Sequence, residues 1–103
     1  MSQILFENAA LLDVARGERR SGTSVLVEGD RIVEVSAGAL RVPEARRIDL
    51  AGRTLMPGLI DNHWHTMLAA PSMALTLEGD LGYLTLLAAA EARATRMRGF
   101  TTV

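Results

Sequence analysis

TLMPGLIDNHWHTM, residues 54–67, contains both histidines of the chain, His63 and His65, one residue apart. An apolar run passes through Pro57-Gly58, resumes at Leu59-Ile60, and delivers the pair to the end of what reads as a buried strand. In a strand, residues i and i+2 face the same side. Asp61, His63 and His65 are therefore expected on one face, and Ile60, Asn62 and Trp64 on the other. Strand rise puts the two histidine Cβ atoms roughly 6–7 Å apart, close enough for both imidazoles to converge on one ion. Neutral imidazole is a common ligand for zinc and similar metals. A catalytic zinc takes about three protein ligands and keeps one position open, so the remaining ligands must come from elsewhere.

A bare H-x-H pair arises easily by chance, and by itself reads as two ordinary polar residues at a strand end. Here the pair ends an apolar strand, that strand opens a strand-helix-strand unit, and parallel α/β folds gather ligand sites at the carboxyl ends of their strands. Together these favour metal binding. Asp61 has two readings, an acceptor that orients a histidine or a backbone partner at the strand end, and spacing favours the second. Trp64 reads as core under the following helix. Met67, Met73 and Met97 read as gap-fillers. Glu78 and Asp80 read as helix-end carboxylates rather than ligands.

Outward from this stretch, the chain divides near residues 55–58. Before it, QILFENAALLDV (3–14) predicts one or two short strands, and ARGERRSGT (15–23) a polar turn. SVLVEGDRIVEVS (24–36) is the clearest local pattern: two β-rich runs around Gly29-Asp30 predict a hairpin. RIDLAGRTLMPG (47–58) predicts a further short strand pair turning at Ala51-Gly52. After it, residues 66–80 read as irregular, with Pro71 interrupting any helix. From Leu81 the period becomes helical, with Tyr83, Leu87, Ala90, Ala94 and Met97 on one stripe. Asp80 is the expected N-cap and Gly99 the C′ residue. Arg93, Arg96 and Arg98 read as a solvated face. FTTV (100–103) begins another strand.

Bulk properties narrow the function class. Across 103 residues, 49% are apolar and the net charge is −1, which points to neither nucleic acid nor an anionic membrane. All the basic residues are arginine, and with no cysteine any metal must be held by His, Asp or Glu. No apolar run is long enough to span a bilayer. The N-terminus lacks the basic and apolar regions of a signal peptide, so the expected compartment is the cytoplasm.

LMPGLIDNHWH (55–65) resembles the PGLIDxHxH motif of the metal-dependent amidohydrolase superfamily, with Pro57, Gly58, Leu59, Ile60, Asp61, His63 and His65 all in register. VLVEGDRIVEV resembles the hairpin of the small β-sandwich that precedes the barrel in many members, and GRTLMPG its exit. ARATRMRGFTTV is similar to the first barrel helix and second strand of the imidazolonepropionase-like and Xaa-Pro-dipeptidase-like branch. The resemblance implies an α/β fold with a β-rich N-terminal half. Residues 1–56 would form part of a composite β-sandwich, and residues 57–103 the first βαβ unit of a (β/α)8 TIM barrel. It implies His63 and His65 as ligands to one or two divalent ions, zinc first, with Asp61 as support. It also implies a metal-activated water that hydrolyses an amide, lactam or dipeptide C–N bond in a small-molecule substrate. The general base and other ligands have no counterpart among these residues, so no catalytic residue is assigned.

Such a barrel takes roughly 250 residues, so the chain is expected to be an N-terminal fragment, inactive alone. The rival expectation is a small non-catalytic β-rich module, self-associating as a homo-oligomer through exposed strand edges.

Overall fold

The computed structural model describes residues 2–68 and 72–103; the expectation placed on Pro71 lies outside them. Two compact units divide the chain between Pro57 and Gly58.

In the first unit, β1 (Gln3–Asp13) is the central strand of a five-stranded mixed sheet. It pairs antiparallel with β2 (Glu18–Glu28), which pairs antiparallel with β3 (Arg31–Ala37). The β2–β3 hairpin turns at Gly29-Asp30, where the sequence predicts it. Gly29 has φ +61°, the left-handed conformation that the first position of such a turn requires. Residues 18–23, read from sequence as loop, belong to β2: residues 18–22 are exposed and Thr23 is buried, while their backbone continues the ladder with β1.

The other edge of β1 carries two short strands, β4 (Arg46–Asp49) and β5 (Thr54–Leu55), both parallel to it. They do not form the strand pair expected from RIDLAGRTLMPG. The reason lies in β1 itself. Its register with β2 shifts between Phe6 and Ala9, and Asn8 there has φ +53°. β1 changes partner across this irregularity, from β4 beside Ile4–Glu7 to β5 beside Ala10–Leu11. The intervening loop is tied back to β1 by Leu50 N to Glu7 O at 2.9 Å, Gly52 N to Asn8 O at 2.7 Å and Ala10 N to Arg53 O at 3.0 Å. Asn8 Nδ2 also donates to Asp49 Oδ1 at 2.9 Å.

Leu5 and Leu26 pair across β1 and β2 and are covered by Ala45, Leu40 and Val42 from the loop after β3. The opposite sheet face carries a shallow apolar cleft of about 310 Å³, lined by residues that include Phe6, Val25, Val27, Ile32 and Val35.

The second unit contains β6 (Leu59–Ile60), a 3-10 turn (Thr66–Leu68), α1 (Met73–Glu78), α2 (Leu81–Met97) and β7 (Phe100–Thr102). β6 and β7 are parallel, joined through α2. Asp80 caps α2 by accepting from Tyr83 N at 3.0 Å, and Gly99 follows the helix with φ +101°. Two expectations are corrected. A helix does form before α2: Ser72 caps α1 by accepting from Leu75 N at 3.2 Å. The inward stripe of α2 is Leu84, Ala88 and Thr95, flanked by half-buried Leu87, Glu91 and Ala92. Tyr83 and Met97 are exposed, as are Met67 and Met73, so these methionines fill no gap in the described residues. Periodicity located the helix but not its rotation, because α2 is rich in apolar residues on more than one side. Its last turn is braced by Arg98, which donates to Glu91 and, at 2.9 Å, to Thr95 Oγ1. Arg98 first, and Thr95 second, hold the Glu91 carboxyl below its ordinary pKa. No helix of the described residues is long and apolar enough to cross a membrane.

Leu5 is fully buried. Leu5→Ala is expected to destabilise the first unit by about 2–5 kcal/mol in urea denaturation, the usual range for a truncated core leucine. Arg47 donates two hydrogen bonds to Glu7, with Nε to Oε2 at 2.8 Å. The bond to Arg47 holds Glu7 below its ordinary pKa of 4.5. A lowered carboxylate pKa adds stability that is present above the unfolded value and is lost as pH falls through the folded one. Arg47→Ala should therefore reduce the acid sensitivity of unfolding below about pH 4.5 and leave the slope near neutrality unchanged.

Candidate metal centre

The site begins where the β6–β7 ladder stops. Leu59 N donates to Gly99 O at 2.8 Å and Asp61 N to Thr102 O at 3.0 Å. Beyond Asp61 the chain bends at Asn62-His63, and no strand continues to His65. The sequence reading placed the H-x-H pair on a strand, and this is corrected: Asp61 Oδ1 accepts from His63 N at 3.0 Å. An aspartate that binds the backbone two residues on forms a turn in place of extended chain. His65 is held from the other side, its carbonyl accepting from Leu68 N at 3.3 Å as the 3-10 turn closes.

The bend still brings the two imidazoles together. Their Nε2 atoms are 2.8 Å apart, one donating and the other accepting, with ring centroids 4.8 Å apart and planes tilted by 56°. Both rings are exposed and Asp61 is half-buried. Trp64, between the histidines in sequence, is half-buried and lines a cleft of about 390 Å³ with Ala92, Thr95 and Arg96 of α2 and Phe100–Val103.

The donor set fits a divalent ion as two of its ligands. Nitrogen ligands at about 2.0–2.1 Å from a tetrahedral zinc stand about 3.3 Å from one another. The observed pair, at 2.8 Å, is tighter than this by about half an ångström, a difference that small side-chain rotations cover. Among the described residues no group of three or more His, Cys, Asp and Glu side chains comes together, so these residues supply a pair and not a complete centre. Asp80 is engaged as the α2 cap, and Glu78 lies exposed at the end of α1.

No family model matches the chain. Among curated proteins it is 35% identical over 65 residues to an adenine deaminase of Escherichia coli O9:H4 (strain HS), covering 63% of this chain and 11% of that protein. It is 39% identical over 64 residues to the adenine deaminase of Rubrobacter xylanophilus, covering 60% of this chain and 11% of that one. Among solved structures, an amidohydrolase matches 99% of the chain at 37% identity and TM-score 0.87. A prolidase solved with N-methylphosphonate-L-proline matches 97% at 29% identity and TM-score 0.88. Its structural neighbours are thus amidohydrolase- and prolidase-like proteins, and its curated relatives are adenine deaminases matched over part of the chain. The chain spans 11% of the length of these curated relatives and 24–25% of these solved chains. The five-stranded sheet and the β6–α2–β7 unit match the N-terminal part of those amidohydrolase structures.

Sequence reasoning named His63, His65 and Asp61 but missed two supports of this amidohydrolase-like segment, the His65 carbonyl and the packing of Thr101 over Gly58. The first has no sequence signal; the second is hinted at only by a glycine beside a proline.

Asp61→Asn keeps an acceptor for His63 N, whereas Asp61→Ala removes it. Imidazole 15N spectra should therefore show the His63–His65 hydrogen bond retained in D61N and weakened in D61A. Equal spectra for D61A and wild type would show that the bend does not depend on the carboxylate.

Proposed function

We propose that this chain is the opening part of a metal-dependent hydrolase acting on a C–N bond of a small molecule, an amide, lactam or dipeptide. His63 and His65 would be two ligands of a divalent ion, zinc first. The convergence of their Nε2 atoms to 2.8 Å, within an in-register PGLIDxHxH stretch, carries the reading. The names of the relatives support the reaction class.

The roles of this chain's own residues come from the geometry. His63 and His65 present two ring nitrogens to one point. Asp61 holds the backbone of His63 and so sets the angle of its ring. Trp64 turns away toward α2 and anchors the segment between the two ligands. A divalent ion held there supplies activation of water and polarisation of the scissile carbonyl. Further ligands and the proton-transferring group would be contributed by residues outside this chain, in the (β/α)8 barrel that we infer residues 57–103 begin.

The test is made on the whole protein of which this chain is the inferred opening part, with a panel of amides, lactams and Xaa-Pro dipeptides. Chelation should abolish hydrolysis and added zinc restore it. The H63A/H65A double variant should lose at least about 100-fold in kcat/KM, since even residues that only support metal ligands cost 10–100-fold when changed. Metal-dependent hydrolysis surviving in that variant would overturn the proposal.

A further inference from the structure

Gly58 does not serve a left-handed backbone, for its φ lies outside that region. Its need for a missing side chain is steric. A Cβ built there would overlap Oγ1 and Cγ2 of Thr101 and stand 2.6 Å from the Thr101 Cβ, inside the 3.0 Å that real contacts keep. Thr101 therefore sits directly on the Gly58 backbone.

Thr101 is also the irregular residue of the ladder. The donors on the β6 side, Leu59 N and Asp61 N, are two residues apart, but their acceptors, Gly99 O and Thr102 O, are three apart. The pairing shows the same shift, with Leu59 opposite Phe100 and Ile60 opposite Thr102. β7 thus carries one extra residue, and that residue is Thr101. Extra residues of this kind bend a strand and re-aim the neighbouring chain. The next links are short: Asp61 N to Thr102 O at 3.0 Å, Asp61 Oδ1 to His63 N at 3.0 Å, and His63 Nε2 to His65 Nε2 at 2.8 Å.

We propose that Thr101 is a positioning residue: seated on Gly58, it fixes the extra residue of β7 against β6 and so sets the direction in which the chain leaves Ile60 toward His63 and His65. This rests on the reading of the pair as metal ligands, but its geometric part can be judged without metal. A side chain at residue 58, or loss of the one at residue 101, should misalign the imidazoles while leaving α2 and the first unit folded.

The experiment is a double-mutant cycle on the intact protein with G58A, T101G and G58A/T101G. Two readouts are taken: imidazole 15N spectra without metal, and Zn2+ affinity by titration. G58A should lose the His63–His65 hydrogen-bond signature and bind Zn2+ about tenfold or more weakly, in the range of changes to groups that support metal ligands. Its far-ultraviolet helix signal should remain. T101G alone should weaken binding less. G58A/T101G should bind Zn2+ better than G58A, because the second change removes the overlap. If G58A fails to fold, the double variant still decides, and recovery of the imidazole pair in it supports the seat. Wild-type spectra and affinity in G58A, or no recovery in the double variant, would overturn the proposal. A wild-type protein that binds no Zn2+ would count against the metal reading, and the metal-free spectra would then judge the Thr101 seat separately.

Discussion

Two backbone hydrogen bonds, Leu59 N to Gly99 O at 2.8 Å and Asp61 N to Thr102 O at 3.0 Å, join the ends of a segment about forty residues long, and the candidate site depends on them. The strands they join are only two and three residues long. Such a ladder is weak on its own. α2 supports it by running from the Asp80 cap to Gly99 and placing β7 beside β6. The ladder ends at Asp61, where the aspartate carboxylate takes the next backbone donor and turns the chain. The histidine pair is the product of a strand that stops early.

Much of this was legible in the sequence, and the failures share a cause. The hairpin at Gly29-Asp30, the span of α2 and both of its end residues were readable because each rests on local chemistry: a positive φ, a capping oxygen, a helical period. The parallel placement of β4 and β5 was not. It depends on Asn8, an ordinary polar residue in sequence, taking φ +53° and letting β1 change partner. The rotation of α2 was misread because Tyr83, Leu86 and Met97 are apolar yet exposed. Three-dimensional packing, not hydropathy alone, selects which side of such a helix turns inward.

The site shows the same division. Residue types and spacing singled out His63 and His65 as a candidate metal pair and Asp61 as a backbone partner beside them. Alternation along a strand supplied a reason for the histidines to face the same way, and that reason was wrong in detail, since the backbone is bent at Asn62-His63. The imidazoles meet because Asp61 and the 3-10 turn hold the segment from both sides. An aspartate that spacing made a backbone partner is here a backbone partner, holding the turn that carries His63.

We propose that His63 and His65 bind one ion together. The most direct measurement is a crystal structure of the intact protein grown with zinc, with anomalous maps collected on both sides of the zinc absorption edge. One zinc peak about 2.0–2.1 Å from both Nε2 atoms is the expected result. A peak on only one histidine, or none at the pair in a crystal that holds zinc elsewhere, would contradict it.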